Sequence, residues 1–289
     1  MGKVYDALRK AESQRKERWE GPVGFGAPLE SEVRLGRPAA RSGTTAQGGG
    51  RGLTGWLRAL RRGRSQAVAE DASFINKRRI TLLQPNSFVA EQFRSLRARL
   101  DSLAAERPLR TVAITSALPG EGKTTASVNL ALVGAMGVGR RVMLVDCDLR
   151  QPKVHTVLGL RPEMGLAELL TDQTTTERAI CKVEGSSLEV LPVRGLPPNP
   201  AELLASARMR AVLEELAGSY DLVILDTPPA LALPDAKTLS EIVDGVVVIV
   251  RAGETPDEDV QATMDLLDRR RVLGVVLNGA AADEQRYGY

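Results

Sequence analysis

The sequence predicts an α/β fold: a mostly parallel sheet with helices on both faces. Three observations predict it. Five short runs rich in β-branched residues, "TVAITS" (111–116), "RVMLVD" (141–146), "LVILD" (222–226), "GVVVIV" (245–250) and "VLGVVLN" (272–278), are apolar throughout instead of alternating. Strands covered on both faces read that way. Helical patterns over 123–137, 200–217, 235–243 and 256–270 separate these runs, so that strand and helix alternate along the chain. The composition, 43% hydrophobic and 26% charged over 289 residues, is that of a globular chain with room for one good-sized domain and extras.

In chain order, residues 1–18 come first. "GKVYDALRKAESQRKER" places Val4, Leu8 and Ala11 on one narrow apolar stripe, which predicts a short amphipathic helix that needs a partner. Residues 19–80 read as a disordered basic linker, since 21–52 holds nine Gly and three Pro. Within it, 53–64 puts Leu53, Trp56, Leu57 and Leu60 on one face and Arg58, Arg61, Arg62 and Arg64 on the rest. That composition suits a helix lying on an anionic membrane surface; a weakly helical piece of solvated linker is the alternative. The basic charge belongs to this leader: residues 1–80 carry 17 Lys/Arg against 8 Asp/Glu, and the remainder 22 against 28. An acidic folded part without aromatics interleaved among bases argues against nucleic acid as a partner.

No run approaches the roughly 18 apolar residues that a membrane-spanning helix requires. The first residues carry no apolar stretch of signal-peptide type, so the expectation is a cytoplasmic protein. Cys147 and Cys181 have no metal or redox spacing, and one histidine, His155, excludes a polyhistidine site.

The folded part, 81–278, carries its chemistry at strand ends. The first strand runs into "SALPGEGKTTASVNLA". Pro119, Gly120, Glu121, Gly122, Lys123, Thr124 and Thr125 form the Gly-x-Gly-Lys-Thr end of a P-loop, in which backbone N–H groups and a helix N-terminus cradle phosphate. Lys123 would reach the β- and γ-phosphates and the Thr124 hydroxyl would bind Mg²⁺. Ala117 replaces the usual first glycine. The second strand ends in Asp146 and Asp148, two apart and so on one side of an extended chain. A third ends "VILDTPP", giving Asp226 as the Walker B carboxylate. Carboxylates beside a triphosphate repel it, by about 4 kcal/mol per charge pair at 4 Å and an effective dielectric near 20. A bound Mg²⁺ removes that conflict, or one carboxylate serves as a base. The fold class is therefore a P-loop NTPase that takes a nucleotide and Mg²⁺.

"LPGEGKTT", "LVDCDLR" and "VILDTPP", with "EQFRSLRARL", "LPPNPAELLAS", "VVVIVRAGET" and "VLGVVLN", resemble the motifs of the bacterial tyrosine kinases of polysaccharide biosynthesis, over about 85–289. Related partitioning and septum-placement ATPases carry a lysine where this chain has Leu118. The resemblance implies that Lys123, Asp146 and Asp148 are catalytic, that Thr124, Asp146 and Asp226 hold the metal, and that Asn278 meets the adenine edge. It leaves the division of labour between Asp146 and Asp148 open. Glu91, Arg94 and Arg97 match the family's Glu-x-x-Arg-x-x-Arg element, which implies ring-like homo-oligomers; a solvated ion pair on a helix is the plain alternative. "MGKVYDALRKAE" is similar to the opening of stand-alone kinases, whose relatives fuse this domain to a membrane-spanning chain-length regulator. A separate membrane-embedded co-polymerase activator is thus implied, with the chain peripheral at the inner face of the plasma membrane.

The implied activity is ATP-dependent tyrosine autophosphorylation controlling exopolysaccharide or capsule polymerisation and export. The competing reading is an ATP-driven switch or scaffold ATPase without a protein substrate. The tail, 279–289, ends "DEQRYGY" and holds Tyr287 and Tyr289, two of the four tyrosines, as the expected phosphoacceptors; a frayed end is the plain alternative.

Overall fold

The computed structural model describes residues 79–280. The expected helices at 1–18 and 53–64 and the tyrosines of the tail lie outside them.

The apolar runs form the strands that their composition predicts. β1 (Thr111–Ser116), β2 (Val142–Asp146) and β5 (Leu222–Asp226) are buried at every position, and β6 (Gly245–Arg251) at all but its last. Each buried Val, Leu or Ile contributes about 1.5–3 kcal/mol. With β3 (Cys181–Lys182), β4 (Glu189–Leu191) and β7 (Val272–Asn278) they make one seven-stranded sheet, ordered β3-β4-β2-β5-β1-β6-β7. All pairings are parallel except β3 with β4. In register, Val112 lies opposite Gly245, and Asp146 lies opposite Asp226. The carboxyl ends of β1, β2 and β5 therefore share one edge.

Two apolar layers hold the helices to the sheet. One packs α1 (Ile80–Leu83), α2 (Phe88–Glu106), α3 (Lys123–Ala135) and α4 (Val154–Leu158) around Ile114, Leu130, Leu132 and Leu144. The other gathers Met143, Leu191, Met209 and Leu225 beneath α5 (Leu166–Leu170), α6 (Thr176–Ala179), α7 (Pro200–Ala205) and α8 (Ala207–Ser219). α9 (Asp235–Ser240) and α10 (Asp257–Leu266) complete the fold. The helical pattern of 200–217 is two helices. Ser206 is extended (ψ 157°) and its hydroxyl accepts from the Met209 N–H at 3.1 Å, ending α7 and capping α8. Among the described residues no helix is long and apolar enough to cross a membrane.

α3 sets the site, and three contacts fix it. Asn129 Oδ1 accepts from the Thr81 N–H and hydroxyl, both at 3.0 Å, tying α1 to its flank. At its C-terminus Arg97 Nη1 donates to the Val133 carbonyl at 3.0 Å, and the Ser187 hydroxyl donates to the Ala135 carbonyl at 2.6 Å. A cation at that end of a helix contributes about 0.5 kcal/mol through the macrodipole.

Candidate active site

The turn from β1 to α3 is shaped by glycines. Gly120 and Gly122 adopt φ of 86° and 96°, left-handed conformations that only glycine takes without strain. At Gly122 a Cβ would also stand 2.0 Å from Asn278 Nδ2. That amide donates to the Glu121 carbonyl at 2.8 Å, so the end of β7 touches the loop directly.

Glu121 turns inward from the loop. It is buried, its Oε2 accepts from the Leu118 N–H at 2.7 Å, and its Oε1 accepts from the Thr255 hydroxyl. Thr255 in turn accepts from the Arg251 N–H at 2.9 Å. The phosphate loop is therefore braced from the β6 side before any ligand arrives. Pro119 and Gly120 are exposed at its tip, and Thr124 and Thr125 are half-buried at the head of α3.

Behind the loop the charges crowd. Lys123 is 8% exposed, and burial lowers its pKa against the opposing pull of Asp226, Asp148 and Glu121. Asp226 is buried, with Oδ1 accepting from the Ser127 hydroxyl at 2.9 Å and with Thr124 also bonded to the carboxylate. Burial holds its pKa up to about 6 in spite of those partners and Lys123. Asp146 is fully buried beside it; burial first, and the Asp226 charge second, push its pKa well above the ordinary 3.8. Its two oxygens accept from the backbone, Oδ1 from Asp148 N at 3.2 Å and Oδ2 from Val154 N at 3.1 Å. Asp148 is half-buried, with Oδ1 on the Gln151 N–H at 2.9 Å. Cys147 is buried between them, and the same burial raises its thiol pKa.

Lys123, Thr124, Asp146, Asp148 and Asp226 are thus brought to one edge, and Asn278 joins them on the far side of the loop. Glu91, Arg94 and Arg97 are not part of this site. Glu91 and Arg94 pair at 2.7 Å on the exposed face of α2, with Arg94 also donating to the Pro85 carbonyl. Arg97 turns to the end of α3 and to Asp101 at 3.6 Å. Sequence reasoning misses Ser127, although it stands one helical turn after Lys123, on the face that meets Asp226. It also misses Arg150, whose Nε donates to the buried Asp235 at 2.9 Å.

The arrangement can bind a nucleoside triphosphate on backbone N–H groups, with one buried cation and two buried carboxylates at the phosphate end. Comparisons agree with that reading. The family described as "AAA domain" matches residues 109–268. The chain is 38% identical over 213 residues to the tyrosine-protein kinase YwqD of Bacillus subtilis, covering 73% of this chain and 90% of that protein. It is 32% identical over 224 residues to the succinoglycan biosynthesis transport protein ExoP of Rhizobium meliloti, covering 76% of this chain and 28% of that longer protein. The solved kinase domain of the Escherichia coli tyrosine kinase ETK superposes with a TM-score of 0.67 at 33% identity, over 73% of this chain and 84% of that one. With the P-loop, both acidic strand ends and the sheet order in place, the chain belongs to the bacterial tyrosine-protein kinase family and carries its ATP-binding P-loop domain.

Proposed function

We propose that the protein is an ATP-dependent tyrosine autokinase of exopolysaccharide or capsule biosynthesis, and that Tyr287 and Tyr289 are its acceptors. The observation that carries this is the root of the tail. Asn278, the last residue of β7, bonds the phosphate loop, and the eleven residues from Gly279 to Tyr289 follow it directly. Fully extended they span at most roughly 36–40 Å, enough to reach this site or that of a neighbouring copy.

In this reading the backbone N–H groups of 120–124 hold the phosphates and Lys123 neutralises charge on the transferring group, which is most of what phosphoryl transfer requires. The tyrosine oxygen bonds to the γ-phosphorus, the bond to the β–γ bridging oxygen breaks, and ADP leaves. Asp148 takes the phenolic proton: it is half-exposed and, among the described residues, only its Oδ1 accepts a hydrogen bond, whereas both oxygens of Asp146 are held by backbone N–H groups. Asn278 Oδ1, left over from the loop contact, would receive the adenine edge.

The site fits Mg²⁺. Two buried carboxylates with raised pKa values and a hydroxyl are a hard, oxygen-only donor set. Among the described residues no three His, Cys, Asp or Glu side chains converge to hold a metal unaided, which suits an ion whose remaining ligands are substrate phosphate and water. Thr124, Asp146 and Asp226 would hold it, and when bound it offsets charge on the β- and γ-phosphates.

The exposed Glu91–Arg94 pair supports self-association through α2, with Arg97 serving chiefly the end of α3. A membrane-embedded chain-length or co-polymerase protein is the proposed activator, with the chain peripheral to the membrane.

The test is phosphotyrosine mass spectrometry of the purified chain with ATP and Mg²⁺, alone and with its membrane partner. Tyr287→Phe with Tyr289→Phe should remove most of the label and leave ATP binding intact, and Lys123→Met should remove all of it. ATP hydrolysis without phosphotyrosine under both conditions would make the protein a nucleotide switch.

A further inference from the structure

Arg150 lies on the loop after β2, two residues beyond Asp148, and Asp235 opens α9 after the neighbouring strand β5. The two form an unequal pair. Asp235 is 1% exposed, accepts from Arg150 Nε at 2.9 Å through Oδ2, and leaves Oδ1 buried without a partner. Arg150 is 36% exposed, and among the described residues its Nη1 and Nη2 enter no hydrogen bond or ion pair. A buried carboxylate thus holds one nitrogen of the guanidinium and leaves its outer fork facing solvent, an arrangement that matches a carboxylate or phosphate.

The phosphate donor already has its cation in Lys123. The acceptor does not. A tyrosine approaching Asp148 meets an edge lined by Asp146, Asp148 and Asp226, and in this chain the tyrosines follow Asp283 and Glu284, four and three residues before Tyr287. An acidic segment reaches an acidic edge more readily where a cation offsets the repulsion, and of the two exposed cations on this loop, Arg150 and Lys153, Arg150 is the one that a buried carboxylate anchors two residues beyond Asp148. Resting on the kinase reading above, we infer that Arg150, anchored by Asp235, is an acceptor-binding residue that takes a carboxylate three or four residues before the tyrosine. The substrate class is then an acidic segment leading into tyrosine, on this chain or on another protein.

The test gives the full-length chain three peptides in trans: AADEQRYGY, AANQQRYGY and AAKKQRYGY, with self-labelling of the tail followed in parallel. At low salt the acidic peptide should show a KM about fivefold below the neutral one, the effect of one half-exposed ion pair, and the gap should close at high ionic strength. Arg150→Gln keeps an N–H for Asp235 and should erase the preference. Arg150→Glu should reverse it toward the lysine peptide. Equal kcat/KM for acidic and neutral peptides on a chain that self-labels overturns the inference alone. So does an Arg150→Gln variant whose KM rises for ATP as much as for peptide, since Arg150 would then serve the phosphate donor. A chain that labels neither its tail nor any peptide removes the kinase reading and this inference with it.

Discussion

The two edges of the sheet treat carboxylates in opposite ways. At the amino-terminal edge Asp244 Oδ2 accepts from the Arg110 N–H, the Thr111 N–H and the Thr111 hydroxyl at 2.8, 2.8 and 2.9 Å, and Asp221 Oδ2 accepts from the Arg141 N–H at 2.8 Å. Each acid there closes a strand start and sits near water. At the carboxyl-terminal edge Asp146 and Asp226 are buried side by side, both with raised pKa values, against a lysine whose own pKa burial lowers. One edge uses acids to satisfy backbone donors. The other holds acids that lack a full charge partner until a nucleotide and cation arrive, so stability is concentrated at one edge and chemistry at the other.

The sharpest way to break this comparison is Asp226→Asn. The Asp226 carboxyl titrates at about 6 against the ordinary 3.8, chiefly because of burial. The folded state therefore binds its proton more tightly than the unfolded state does. The stability this contributes is complete below the unfolded value and is lost as pH rises through about 6, so the ionised group costs about 3 kcal/mol at neutral pH without a cation. The asparagine should lower self-labelling by a thousandfold or more. Without nucleotide or metal it should also gain up to about 3 kcal/mol over wild type at pH 7.5 and almost nothing at pH 3.5, by urea denaturation. Equal stability at pH 7.5 would show that this edge carries no stored cost.

The opposite edge predicts the opposite pattern. Asp244→Ala leaves three donors short of one acceptor, and the cost should be about 2 kcal/mol, since Arg110 can turn to water whereas Thr111 is 5% exposed. For a domain of this size that lowers the melting temperature by about 4–8 °C. Self-labelling measured well below the melt should stay within twofold of wild type. A labelling rate that falls with Asp244 would mean that the two edges are coupled through β1.

How far the molecule is legible in its sequence follows the same division. Local patterns carry the strands and the phosphate loop: apolar runs mark the central strands, and Gly120, Gly122 and Lys123 mark the turn. Contacts between distant residues leave no pattern. Glu121 reads as a loop residue beside phosphate, yet its side chain braces the loop against Thr255, 134 positions away. Arg150 and Asp235 meet across 85 positions. β3 and β4, at two and three residues, are too short to show a period. The break at Ser206 was visible only as a serine inside a helical pattern, and its role as a cap emerges from the extended backbone. Arg97 reads with Glu91 and Arg94 as one motif, but packing divides them: the first two face solvent and the third caps α3.

The smallest effect concerns the one tyrosine among the described residues. Tyr220 lies just before β5, at the edge away from the phosphate loop. It is 6% exposed, its hydroxyl donates to Glu189, and Arg141 stacks over its ring at 4.8 Å. Burial first, and Glu189 second, push its pKa up to about 12. A phenol so placed can neither meet Asp148 nor give up its proton readily, so the folded chain should carry no phosphate at this position. Tyr220→Phe keeps the ring and the Arg141 contact and loses one hydrogen bond to a half-exposed carboxylate, a cost of about 1.5 kcal/mol. Self-labelling should be unchanged, read by phosphotyrosine mass spectrometry of wild type and variant at matched ATP. Phosphate found on Tyr220 in a chain that still melts cooperatively would place an acceptor on the structural edge, and the separation of the two edges would fail where it is most easily seen.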